Sequence, residues 1–92
     1  MKSILPTNKS ECYICGEYGP TEEHHIFGGS NRKISEQNGF KVDLCHFCHN
    51  EPPFGVHYNR KQSDALKKEC QLKYEETHSH NEFMGLIGKN YI

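Results

Sequence analysis

Two Cys-x-x-Cys pairs, Cys12/Cys15 and Cys45/Cys48, enclose the histidine doublet His24-His25, and the second pair runs directly into His49. Four thiolates so spaced are the ligand set of a closed, tetrahedral structural zinc site. Closing it would draw both ends of the intervening segment together around imidazoles left free for other chemistry. Twenty-nine residues separate Cys15 from Cys45, more than the about 15–20 of a compact zinc ribbon, so a folded insert must lie between the pairs. Imidazoles that titrate near neutrality can ligate a divalent metal and can take a proton from water. Neutral side chains of His24, His49 and His57 could hold such a metal while leaving positions open for water and phosphate. One member of the doublet would bind metal and the other would act as base. Hydrolysis of a phosphodiester needs those two roles, a base for the attacking water and a cation to offset charge on the oxygens.

Short elements must position these groups. Cys12-Tyr13-Ile14-Cys15-Gly16 reads as a knuckle, with glycine relieving crowding after the second thiolate. Thr21–Phe27 reads as a short strand that enters a glycine loop, and Gly28 to Asn38 has loop composition throughout. Phe40-Lys41-Val42-Asp43-Leu44 alternates apolar and polar residues, the pattern of a half-buried strand delivering Cys45. Pro52-Pro53 must interrupt any helix begun after Cys48, so His49 is expected on a short turn. Asn59 and Gln62 have the spacing of a capping box, and Leu66, Cys70 and Tyr74 recur at helical intervals, predicting a helix over roughly residues 60–77. Ser79 with Glu82 opens a second helix in which Phe83, Leu86 and Ile87 face inward before Gly88 stops it. Residues 1–10 read as a loose arm. His46, His78 and His80 read as surface residues, and Cys70 as a buried helix-face residue.

Composition sets the limits. At 92 residues with 34% apolar side chains and no Trp, one domain with a marginal core is expected, and a metal staple would help hold it. Five cysteines and a start lacking any long apolar run speak against a secreted disulfide framework. No βαβ pattern flanks the pairs to suggest a thioredoxin-like redox motif. No run approaches the roughly 18 apolar residues of a membrane helix. A soluble protein of the cytoplasm is therefore expected. Eleven Lys and Arg against 12 Asp and Glu give a net charge of −1, which argues against a high-affinity, sequence-blind nucleic-acid binder but leaves room for a metal-dependent nuclease. Arg32 and Lys33, in the glycine-rich loop, are the candidates for phosphate contact.

Taken together, Cys12-x-x-Cys15, His24-His25-Ile26, the glycine loop and Leu44-Cys45-x-x-Cys48-His49 resemble the HNH endonucleases. The run from Glu22 to Tyr58, with Phe27-Gly28-Gly29, Arg32-Lys33 and Gly55-Val56-His57, is similar to small phage recombination nucleases of the RecA-dependent type. The resemblance implies a small α+β fold of the ββα-metal (HNH) kind, stapled by a four-cysteine zinc knuckle and followed by C-terminal helices. It implies His24 as metal ligand and His25 as general base, with His49 and His57 as further ligands. Cofactors would be a structural Zn²⁺ and a catalytic Mg²⁺, Mn²⁺, Ni²⁺ or Zn²⁺. The substrate would be DNA, although RNA offers the same groups, and a phage recombination or packaging protein in a bacterial host cell would be the partner. The chain departs from the family pattern at Phe40, where an asparagine is expected, so Asn38 is the nearest residue able to orient the base. The rival expectation is a zinc-knuckle binding or adaptor module with little catalytic power.

Overall fold

Glu22–His25 (β1) and Lys41–Leu44 (β2) pair as a two-stranded antiparallel sheet in the computed structural model, which describes residues 2–92. The register sets Glu22 opposite Leu44, Glu23 opposite Asp43, His24 opposite Val42 and His25 opposite Lys41. Since neighbouring residues of a strand point to opposite faces, Glu22, His24, Val42 and Leu44 share the inner face. Glu23, His25, Lys41 and Asp43 share the outer one. His24, Val42 and Leu44 are buried accordingly.

The segment expected as a loop between the strands is instead a 3-10 turn, Gly29–Asn31, leading into the helix α1, Arg32–Asn38. Its polar composition hides what holds it. The buried Ser35 hydroxyl donates to the Phe27 carbonyl at 2.7 Å and accepts from the Phe27 N–H at 3.1 Å, tying the helix to the chain leaving β1. Gly39 ends the helix at φ 72°, and a Cβ there would also run into the Lys2 carbonyl.

That close approach reflects the N-terminal segment, which is not a loose arm. Ile4 N–H donates to Gly39 O at 3.0 Å, the Thr7 hydroxyl accepts from Asp43 N–H at 3.0 Å and donates to its carboxylate at 3.1 Å, and Leu5 is buried. These bonds cover the outer edge of β2, leaving β1 as the open edge of the sheet.

After β2 comes a single helical turn and a half, α2 (His46–Asn50), which stops ahead of Pro52. The long helix α3, Arg60–Tyr74, is capped by the Asn59 side chain accepting from Gln62 N–H. It buries Leu66, Cys70 and Tyr74 as its spacing predicts, together with Gln71. That glutamine is fully satisfied, bonding Glu75, Asn90 and the Tyr91 N–H, and so anchors the C-terminal tail. A capping box between Ser79 and Glu82 starts α4, His80–Ile87, and Gly88 ends it in the left-handed region. Phe40 is fully buried, with Phe27 and Tyr74 rings edge-on to it at 5.6 and 5.4 Å. Phe40, the position at which an asparagine was expected, is a core residue. Among the described residues no helix is long and apolar enough to cross a membrane.

Candidate metal centres

Three clusters of ligand-type side chains are built on this frame. In the first, the Sγ atoms of Cys12, Cys15, Cys45 and Cys48 all lie within 4.8 Å of one another. Cys15 and Cys45, drawn from the two different pairs, have sulfurs 3.8 Å apart. A disulfide would need about 2.05 Å; a tetrahedron with Zn–S bonds of about 2.3 Å has edges of about 3.8 Å. The thiolate set therefore has the dimensions of a structural zinc site. Each knuckle also turns a backbone N–H onto its leading sulfur, Cys15 N–H to Cys12 and Cys48 N–H to Cys45, both at 3.5 Å. Burial opposes ionisation of Cys12, yet the N–H groups of Cys15, Cys45 and Ile14 hold its thiol down at about 6, poised to bind as thiolate.

On the inner face, ligand nitrogens of His24, His49 and His57 lie within 4.8 Å of one another. The strand β1 supplies the first, α2 the second, and the chain that folds back after Pro53 the third. Val56 N–H donates to Cys48 O at 2.8 Å and His57 N–H to His49 O at 3.4 Å, so the returning chain lies against α2 and presents His57 beside His49. Gly55 makes this possible: a Cβ there would sit 2.8 Å from Glu51 N and 2.9 Å from Asn50 N.

The Nε2 atom of His24 is buried and has no hydrogen-bond partner. A polar atom so placed costs about 1–3 kcal/mol unless something binds it. Burial first, then the neighbouring His49 and His57, hold its imidazole down at about 3, so at neutral pH the ring is uncharged and one of its nitrogens offers a lone pair. His49 is prepared in a different way. Its Nδ1 meets Glu22 Oε1 at 2.8 Å, which fixes the ring proton on Nδ1 and leaves Nε2 as the lone pair facing His57 Nε2 at 3.0 Å. Donors at neighbouring octahedral positions, with bonds of about 2.1 Å, stand about 3.0 Å apart. With no metal bound, an N–H···N bond from His57 spans the same distance. His49 and His46 together hold the Glu22 carboxyl at about 2, so it is anionic throughout the working range. The Asn50 amide adds a bond to the same carboxylate at 3.0 Å. An orphaned nitrogen, a carboxylate-backed imidazole and a third imidazole at the surface fit a divalent metal with positions left open.

No family model, curated protein or solved structure matches this chain. Its chemistry is read from its own residues.

The third cluster lies on the outer face. Nε2 of His25 is 2.9 Å from Glu36 Oε2 and 3.7 Å from Glu23 Oε1, and Lys41 Nζ bridges the same two carboxylates at 3.0 and 3.5 Å. Lys41 and His25 hold the Glu36 carboxyl at about 2. The doublet is thus split by the pleat: His24 turns inward to the imidazole cluster, whereas His25, still in register with Lys41, turns outward. The sequence led both members of the doublet to be expected at one site, one as metal ligand and the other as base; the strand geometry sets them on opposite faces.

Asn38, expected to orient His25, is the last residue of α1 and donates its amide to Ile34 O at 2.9 Å. The carboxylate on His25 comes from Glu36, two residues earlier. Arg32 and Lys33 line an open depression together with His25, Glu23 and Glu36, beside the outer cluster. Glu22 and Glu36 were given no role from sequence, and Gly55 was read only as part of a turn beside His57. For Glu22 a signal existed: it lies two residues before His24, on the same face of the strand.

Proposed function

We propose that this chain is a metal-dependent endonuclease of the HNH type, hydrolysing phosphodiester bonds of DNA. The observation that carries the proposal is the buried, unpartnered Nε2 of His24, aimed into a cluster with His49 and His57 whose tautomer Glu22 sets. The order β1, β2, α2 around these imidazoles, beside a tetrathiolate cluster, supports the ββα-metal reading of the fold. Arg32 and Lys33 are the proposed phosphate contacts nearest the base.

His24, His49 and His57 would hold the divalent ion, which when bound offsets charge on the non-bridging and leaving oxygens. His25 is the base. Glu36 accepts a hydrogen bond from Nε2–H and fixes the ring, leaving Nδ1 to take the proton of the attacking water. The water oxygen bonds to phosphorus, the bond to the 3′ oxygen breaks, and that oxygen leaves as a hydroxyl after protonation from solvent. The imidazole cluster and His25 lie on opposite faces of β1, the open edge strand of the sheet, so the reading requires the substrate backbone to cross that edge.

A second reading, an adaptor module, is favoured by the exposed, stacked rings of Phe47 and Phe54, 5.7 Å apart on and just beyond α2. Such a pair suits contact with a partner. Supercoiled plasmid separates the two readings. Zinc-loaded protein is expected to nick it in Mg²⁺, Mn²⁺ or Ni²⁺ and not in EDTA; no nicking under any of these metals would leave the adaptor.

A further inference from the structure

The outer face of the sheet holds more than the base. Two open depressions of about 560 and 620 Å³ lie side by side there and share Glu23 as a common wall. The first is bounded by the N-terminal segment and β2, with Lys2, Lys9 and Lys41 around it. The second lies between His25 and α1, with Arg32 and Lys33 around it. Both volumes fall within the roughly 300–1,000 Å³ of ligand-sized clefts.

Charge is concentrated on this face. Five of the chain's 11 cationic side chains line the two depressions, against three of its 12 carboxylates, Glu23, Glu36 and Asp43. This face therefore carries +2 while the remainder of the chain carries −3. Lys41 bridges Glu23 and Glu36, which offsets part of their charge in place, and the Thr7 hydroxyl donates to Asp43. Lys2 and Lys9 are exposed and extend from a segment that the fold fixes along β2.

We propose that this face is a track for a nucleic-acid backbone, running from Lys2 and Lys9 across Lys41 and past His25 to Arg32 and Lys33. It rests on the endonuclease reading and adds to it the route by which a polyanion reaches the base on a chain of net negative charge. The N-terminal segment is then a binding element that supplies phosphate contacts ahead of the scissile bond. Phe47 and Phe54 line neither depression and lie outside the track.

The test is binding without cleavage. Fluorescence anisotropy of a labelled duplex DNA oligonucleotide is measured with zinc-loaded protein in magnesium-free buffer, as a function of salt. Each phosphate contact contributes about 0.9 to the slope of log K against log salt on duplex and about 0.7 on single strands. Replacing Lys2 and Lys9 together by Ala is expected to reduce the duplex slope by about 1.8, and replacing both by Arg to restore it. Lys61→Ala with Lys68→Ala, on the far helix α3, is expected to leave the slope unchanged. An unchanged slope in the Lys2/Lys9 variant, or an equal loss in the α3 variant, overturns the track. Plasmid nicking by wild type with an unchanged Lys2/Lys9 slope would sink the track alone. The expected slopes without any nicking would sink the nuclease alone.

Discussion

Gly55→Ala probes how the imidazole cluster is assembled. The added Cβ would meet three backbone atoms at the end of α2: Glu51 N at 2.8 Å, Asn50 N at 2.9 Å and His49 C at 2.9 Å. None is the end of a flexible side chain, so the returning segment must retreat by about 0.5 Å to reach ordinary contact. The bonds that would stretch are Gly55 N–H to Glu51 O, 2.7 Å, Val56 N–H to Cys48 O, 2.8 Å, and His57 N–H to His49 O, already 3.4 Å. Overpacking of this kind costs about 1–3 kcal/mol. At about 2 kcal/mol, the melting temperature of a domain this size falls by about 8–16 °C. Metal ligands tolerate about 0.2 Å of error, so His57 is expected to drop out and Mn²⁺ affinity to fall by more than tenfold. Differential scanning calorimetry and isothermal titration of zinc-loaded protein measure both effects. Gly85→Ala, whose Cβ meets nothing within 4 Å on the exposed side of α4, is the control and should melt no lower than wild type. A Gly55→Ala protein that melts with wild type and binds Mn²⁺ equally well would refute this account of the cluster.

Glu22→Gln removes the charge behind His49 and is expected to weaken Mn²⁺ binding by about 10–100-fold, read by the same titration with the tetrathiolate zinc retained. Elemental analysis should find one zinc per chain, and Cys45→Ser should lose it together with cooperative unfolding in circular dichroism, because structural zinc supplies folding free energy. Burial pushes the Cys70 thiol up to about 12. Its folded pKa lies above the unfolded value near 9, so its contribution is intact below pH about 9 and lost as pH rises toward 12, at up to about 1.4 kcal/mol per pH unit. Urea melts of wild type and Cys70→Ala across that window should show a steeper alkaline loss in wild type.

Which parts of this molecule were legible in the sequence follows from the physics that fixes each one. Cysteine spacing is a ligand constraint written locally, and the four sulfurs do converge. The alternation of Lys41 to Leu44 and the caps at Asn59 and Ser79 are likewise local, and the strand and helices stand there. Helix α1 was missed because it is held by one buried hydroxyl, Ser35 on Phe27, and by the turn at Gly39, while its composition is that of a loop. The N-terminal segment was missed because its attachments are mostly backbone bonds to Gly39 and β2, which carry no residue-type signature. Asn38 was expected beside His25 only through a resemblance; the helix α1 turns Glu36 to His25 and Asn38 onto Ile34 O.

Single-turnover cleavage of plasmid by His25→Ala, with Mn²⁺ affinity measured on the same sample, tests the central claim most directly. His25 faces away from the imidazole cluster, so metal affinity should stay within a few-fold of wild type while the cleavage rate falls by about 10²–10⁴. Metal-dependent nicking at the wild-type rate in His25→Ala would contradict the account.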